Sequence, residues 1–152
     1  MTLNEQMDVF LRGTAEIISP EELREKIRRA DLEDRALRIK LGVDPSAPEI
    51  HLGHTVPLRK LYQLQKIGHQ IIFLVGDFTG RIGDPSGRSE TRKQLTEEQI
   101  AINAKTYTDQ VFKILDPKKT VIEYNSRWLG ALTFAEVIQL AAKTTVARIL
   151  ER

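Results

Sequence analysis

Leu37-Arg38-Ile39-Lys40-Leu41-Gly42-Val43 alternates apolar residues with polar or small ones, the two-residue period of a β-strand. Further on, Gln70-Ile71-Ile72-Phe73-Leu74-Val75 is apolar almost throughout, the composition of a strand buried on both faces, as parallel strands are. Between the two runs, Leu58, Leu61, Tyr62 and Leu64 fall at helical spacing, and Gly68 reads as the helix stop. Strand, helix and buried strand in succession predict a right-handed βαβ crossover, and with it an α/β fold built on a parallel sheet.

Downstream, Thr96-Glu97-Glu98-Gln99 has the spacing of a capping box and opens a helix to about Leu115, where Asp116-Pro117 stops it. Thr120 to Tyr124 has strand composition. Thr133-Phe134-Ala135-Glu136 is another capping box, and the helix it starts is expected to turn Val137, Leu140, Ala141, Val146, Ile149 and Leu150 inward. The sequence stops at Arg152 inside that pattern, which reads as a partial C-terminus. Upstream, Leu3 to Ile18 carries Met7, Phe10, Leu11 and Ala15 at mostly helical spacing, weakened by Gly13. Ser19-Pro20-Glu21-Glu22, with Glu22 where a capping-box carboxylate reaches back, then starts a charged helix through about Ala30 with Leu23 and Ile27 as its apolar stripe. Residues 1–36 thus form an N-terminal helical segment ahead of the βαβ region.

Composition narrows the function classes. Of 152 residues, 41% are hydrophobic and 29% charged, a globular balance. Lys+Arg 23 against Asp+Glu 21 leaves +2, too little for a basic surface to announce nucleic acid. The absence of cysteine excludes disulfides, thiolate metal sites and a cysteine nucleophile. The longest apolar run, Ile71 to Val75, is far too short to span a bilayer, and the N-terminus lacks a basic flank and an apolar signal core. A soluble cytoplasmic protein without membrane contact is expected.

Chemistry-bearing residues gather in two places. Asp44-Pro45-Ser46-Ala47-Pro48-Glu49-Ile50-His51-Leu52-Gly53-His54 lies between the C-terminal end of a strand and the start of a helix, where open α/β sheets bind ligands. The helix end supplies unpaired N–H groups and a partial positive charge. His51 and His54, three apart, share a face of its first turn, and Gly53 lets a flat ligand approach the backbone. Two imidazoles beside such amides suit a nucleotide's phosphates while charge builds at phosphorus. No glycine fingerprint of a dinucleotide fold and no Walker lysine loop is present, so phosphate work falls to the histidines. A histidine here can equally serve as a helix cap. The zincin spacing is missing, so no metal ligand is expected.

Gly76-Asp77-Phe78-Thr79-Gly80-Arg81-Ile82-Gly83-Asp84-Pro85-Ser86-Gly87-Arg88 begins where the second strand ends and so lies at the same sheet edge. Four glycines suggest close backbone approach to a ligand. Asp77 and Asp84 could pair with a substrate ammonium, and Arg81, Arg88, Arg92 and Lys93 could meet phosphate or pyrophosphate. An Asx-Pro turn and a solvated basic loop are the plainer alternative.

His51-Leu52-Gly53-His54 resembles the HIGH signature of class I aminoacyl-tRNA synthetases. Leu41 to Pro48, Val75 to Gly80 and Ile82 to Arg88 further resemble the bacterial tyrosyl-tRNA synthetase family. The likeness continues through Asn103 to Tyr107, Asn125 to Leu129 and Thr145 to Arg148. It implies a Rossmann-like sheet of the HIGH-signature nucleotidyltransferase type, with residues 37–152 the N-terminal half of the catalytic domain. It also implies the activity: a ligase in protein biosynthesis that joins L-tyrosine and ATP to tyrosyl-adenylate, then passes the tyrosyl group to tRNA(Tyr).

By the same resemblance, His51, His54, Arg88 and Arg92 are catalytic, with the two arginines assisting the departing pyrophosphate. Asp44, Ser46, His51, Gly53 and His54 bind ATP, which brings Mg2+, and no tightly bound cofactor is implied. Gly42, Thr79, Asp84, Asn125 and Trp128 take the amino acid. Lys40 stands where many members carry a tyrosine that meets the substrate phenol, so the residue reading that hydroxyl is unassigned. The family's KMSKS-like loop and anticodon-binding region are not in the sequence, and its homodimer interface begins near the last helix. Two other readings stand beside this one: a noncatalytic ATP-binding half-domain, and a small HxGH nucleotidyltransferase.

Overall fold

The computed structural model describes residues 1–82 and 95–150, with side chains through 148. Three strands, β1 (Arg38–Val43), β2 (Gln70–Val75) and β3 (Thr120–Tyr124), form a parallel sheet in the order β1-β2-β3. Val43 pairs with Val75, and Val75 with Tyr124, so all three strands end at one edge of the sheet. The expected α/β architecture with a parallel sheet is what the chain adopts.

The core sits on one face of that sheet. Ile71, Phe73 and Val75 of β2 pack with Leu58, Leu61 and Leu64 of α3 (Leu52–Lys66) and with Ala104 and Val111 of α5 (Glu97–Val111). Ile39, Leu41 and Val43 join them from β1, and Ile122 from β3. Each fully buried Leu, Ile, Val or Phe among them contributes about 1.5–3 kcal/mol, so this layer fixes the strand ends beyond it. The expectation that β2 is buried on both faces is corrected: its residues alternate between half-buried and buried. The cause is one-sided cover, since α3 and α5 both pack on the Phe73 face while Ile72 and Leu74 stay half-exposed on the other.

The helix expected from Phe134 onward is two helices, α7 (Phe134–Ala141) and α8 (Val146–Leu150). Thr133 forms the foreseen capping box with Glu136, but Thr145 accepts a hydrogen bond from Arg148 N–H at 3.3 Å and starts the second helix itself. Val137, Leu140 and Val146 are exposed rather than turned inward, because apolar spacing fixes a shared face and not what that face meets. No helix among the described residues is long and apolar enough to cross a membrane.

The N-terminal pair, α1 (Leu3–Leu11) and α2 (Pro20–Leu32), is tied down by polar contacts. α1 is shorter than its spacing suggested, ending before Gly13 at φ 71°. The Gln6 amide donates to both Asp31 carboxylate oxygens at 3.1 and 2.9 Å, clipping α1 to α2. The Lys60 ammonium of α3 donates to the carbonyls of Val9 (2.7 Å), Phe10 (3.2 Å) and Arg12, the cation a helix C-terminus favours. Beneath them His69 is buried, its ring 5.5 Å from that of Phe10 and its Nε2 without a hydrogen-bond partner among the described residues.

Burial holds the His69 pKa below its ordinary 6.5, with the Asp31 carboxylate pulling weakly the other way. The unfolded chain therefore binds this proton more readily. Stability is full above about pH 6.5 and falls as pH drops toward and through the folded value. Melting curves from about pH 8 to about pH 5 should show that loss, and His69→Phe should flatten part of it. An identical acid slope in the variant would remove His69 as a source.

Candidate active site at the strand ends

Asp44, Gly76 and Asn125 each directly follow a strand, so the register brings them side by side. Gly76 N–H donates to the Val43 carbonyl at 2.7 Å, and Asn125 N–H to that of Val75 at 3.1 Å. Side chains then link all three ends through α4 (Asp77–Ile82). The Thr79 hydroxyl donates to Asp44 Oδ1 at 2.7 Å and accepts from Asn125 Nδ2 at 2.9 Å, while Asn125 Oδ1 accepts from Phe78 N–H at 2.9 Å. Gly76 has no alternative here: a Cβ would stand 1.9 Å from Asp44 Oδ1 and 2.6 Å from Thr79 Oγ1.

Above this relay lies a recess of about 160 Å³ lined by Gly42, Val43, Asp44, Leu74, Gly76 and Asn125. Asp44 Oδ2 has no hydrogen-bond partner among the described residues, so it can accept from a ligand donor. Both polar atoms of the buried Asn125 side chain are engaged within the relay. Asp77 Oδ1 accepts from Phe78 N–H at 3.0 Å and Ser126 N–H at 2.9 Å, which gives that carboxylate a local structural role.

The two histidines form the first turn of α3. His51 is its N-cap: its Nδ1 accepts from Gly53 N–H at 3.1 Å, while its own N–H donates to His54 Nδ1 at 3.1 Å. The rings stack with centroids 3.9 Å apart and 29° between planes. The cap and ligand readings of His51 are thus compatible, since the cap uses one ring nitrogen and leaves the other. Burial lowers the His54 pKa, and the neighbouring His51 lowers it further. At Gly53 a Cβ would lie 3.0 Å from the His51 ring, so the glycine gives that ring its place.

The structure separates the remaining candidates. Ser46 is exposed and donates its N–H to the Asp44 carbonyl at 2.8 Å. Trp128 is exposed on α6 (Ser126–Leu129), one turn beyond Asn125. Arg81, offered above as a residue that could meet phosphate, pairs with Glu97 and lies 5.5 Å over the Phe78 ring. Asp84, Arg88, Arg92 and Lys93 lie outside the described residues.

Two α5 residues given no role in the sequence analysis hold the loop that leads to the histidines. Asn103 donates from Nδ2 to the Pro45 carbonyl at 3.0 Å, and Gln110 bonds the Pro48 carbonyl and Ile50 N–H, both at 3.1 Å. The signal for Asn103 was faint, a polar residue inside the buried stripe Ile100, Ala104, Tyr107 and Val111 of α5.

A family model described as tRNA synthetases class I (W and Y) matches residues 32–152. The tyrosine–tRNA ligase of Moorella thermoacetica is 60% identical over 147 residues, covering 97% of this chain and 36% of that protein. The Thermotoga maritima ligase of the same name is 55% identical over 152 residues, 100% of this chain and 37% of that one. Among solved structures, a tyrosyl-tRNA synthetase from Archaeoglobus fulgidus complexed with L-tyrosine superposes with a TM-score of 0.79 at 26% identity, covering 97% of this chain and 42% of that one. The chain therefore spans little more than a third of the length of its curated relatives.

Proposed function

We propose from one fact, that this chain belongs to the class I tRNA synthetases (W and Y), that it is the N-terminal half of the catalytic domain of a tyrosine–tRNA ligase. In that reaction an oxygen of the tyrosine carboxylate attacks the α-phosphorus of ATP. The new O–P bond gives tyrosyl-adenylate, the α–β linkage breaks and pyrophosphate leaves. A tRNA hydroxyl then attacks the tyrosyl carbonyl, the new ester forms as the acyl–phosphate bond breaks, and AMP leaves, a reaction of the cytoplasm. The observation that carries this reading is the joining of all three strand ends through Asp44, Thr79 and Asn125 around one recess.

Within this proposal His51 and His54 face the phosphates from the amide-rich end of α3, where charge developing on phosphate oxygens is stabilised. Asp44 offers its second oxygen to a donor on the nucleotide or amino acid, and Ser46 and Gly53 flank the same ligand. Gly42 and Thr79 border the tyrosine, with Asp84 as the carboxylate for its ammonium, Trp128 at the rim, and Arg88 and Arg92 on pyrophosphate. Mg2+ comes to the reaction on ATP.

The test joins residues 1–152 to the remainder of the Moorella thermoacetica ligase, in place of its matching segment. Exchange of labelled pyrophosphate into ATP that requires tyrosine is the expected result. A folded chimera that exchanges with another amino acid, or binds ATP without exchange, overturns it; the second outcome is that of a noncatalytic ATP-binding half.

The exposed Phe134, Val137, Ile138 and Leu140 of α7 give the chain an uncovered apolar face. The 152-residue chain should therefore self-associate, its mean mass by sedimentation velocity rising with concentration. Val137→Lys together with Leu140→Lys should suppress the rise. A constant monomer mass for the unmutated chain would show that this face is inert.

A further inference from the structure

The loop between β1 and α3, residues 44–51, sets where the His51–His54 turn points. It carries two prolines, Pro45 and Pro48, which have no backbone N–H to donate and leave the loop short of its own hydrogen bonds. α5 supplies what is missing. Asn103 and Gln110, seven residues and two turns apart, lie on one helix face and both reach this loop. The Gln110 carboxamide donates from Nε2 to the Pro48 carbonyl and accepts at Oε1 from Ile50 N–H, each at 3.1 Å. One acceptor and one donor two residues apart is the pattern a neighbouring β-strand would meet. The same Nε2 also donates to Thr106 O of its own helix at 3.1 Å, which holds the amide's orientation.

The residue after Ile50 is the N-cap itself, whose N–H donates to His54. The carboxamide thus grips the chain one residue before the two rings are oriented. We propose that Gln110 is a positioning residue: by fixing the path of residues 48–50 it aims the His51 and His54 imidazoles at the triphosphate. This rests on the phosphate reading of that turn given above. Gln110 touches no substrate; it acts through the backbone of the loop.

The experiment uses the 152-residue chain, labelled with ¹⁵N, with Mg2+-ATP as the probe. Gln110→Met keeps most of the side chain's length and apolar packing and removes both loop bonds; Gln110→Ala removes the packing as well. Both variants should speed hydrogen exchange at the Ile50 amide by about tenfold while Phe73 and Val75 in β2 keep the unmutated rates. ATP affinity, read from Gly53 and His54 amide shifts, should weaken about threefold to tenfold, the range one or two net hydrogen bonds supply. Unchanged Ile50 exchange overturns the inference, as does acceleration shared equally with Phe73 and Val75. So does an effect confined to Gln110→Ala, which would assign it to packing. A His54→Ala control separates the two layers. If it weakens ATP binding and Gln110→Met does not, the positioning role fails alone. If His54→Ala leaves both ATP affinity and the chimera's pyrophosphate exchange unchanged, the phosphate reading fails and this inference fails with it.

Discussion

In the chimeric ligase, His54→Ala should lower tyrosine-dependent pyrophosphate exchange by about 10²–10³, the usual loss when one preorganised transition-state donor is removed. His51→Ala should fall in the same range, with an added loss of helix stability because His51 also caps α3. Tyrosine affinity should hardly change in either variant, since the rings stand at the helix start and not in the recess lined by Gly42, Leu74 and Asn125. The two single losses should not add in the double variant. The rings stack at 3.9 Å and each holds the other through the same turn, so removing one already disturbs its neighbour. Steady-state exchange at saturating tyrosine, with tyrosine affinity measured separately, checks both parts. Tyrosine binding lost while exchange at saturation survives would move the histidines from the phosphates to the amino acid.

The second large effect belongs to Gly76. Gly76→Ala places a methyl where Asp44 Oδ1 and Thr79 Oγ1 already stand, at 1.9 and 2.6 Å. Neither neighbour is the free end of a long chain: Asp44 and Thr79 hold each other at 2.7 Å, and Asn125 holds Thr79. The overlap must be relieved by swinging the carboxylate out of the relay or by parting two paired strands, at a cost of about 1–3 kcal/mol or more. Asp44→Ala removes the closest clashing atom, so Gly76→Ala should destabilise an Asp44→Ala background much less than the unmutated chain. Denaturant midpoints of the four proteins give this coupling directly. Simple additivity would mean that the strand ends do not meet as described.

How much of this was legible beforehand differs from element to element. β1 could be read because it has one exposed and one packed face, and that asymmetry writes itself into the chain as Ile39, Leu41 and Val43 alternating with Arg38, Lys40 and Gly42. The capping boxes at Thr96 and Thr133 were legible because both partners lie three residues apart in the sequence. β2 misled for the converse reason: Ile72 and Leu74 are apolar without being fully covered, and composition cannot say which helices arrive on which side. Arg81 was read as a residue that could meet phosphate, and its pairing was not legible, since its partner, Glu97, is sixteen residues away and becomes a neighbour only through the packing of α4 on α5. Gln110 left no trace at all. Its two loop bonds span sixty and sixty-two residues, and nothing local distinguishes it from a solvated glutamine.

The mutual cap of His51 and His54 also settles where their protons sit. Each Nδ1 accepts a backbone N–H, so each neutral ring carries its hydrogen on Nε2, and the pair offers two N–H donors of one tautomer. A second proton would put a donor on Nδ1 facing another donor, and the first turn of α3 would lose a bond that closes it. The turn thus favours the neutral His54 ring, in keeping with its pKa, which burial and the neighbouring His51 lower. At this end of the molecule the peptide dipoles of α3 add positive potential beside the His54 ring, whose uncharged form burial favours.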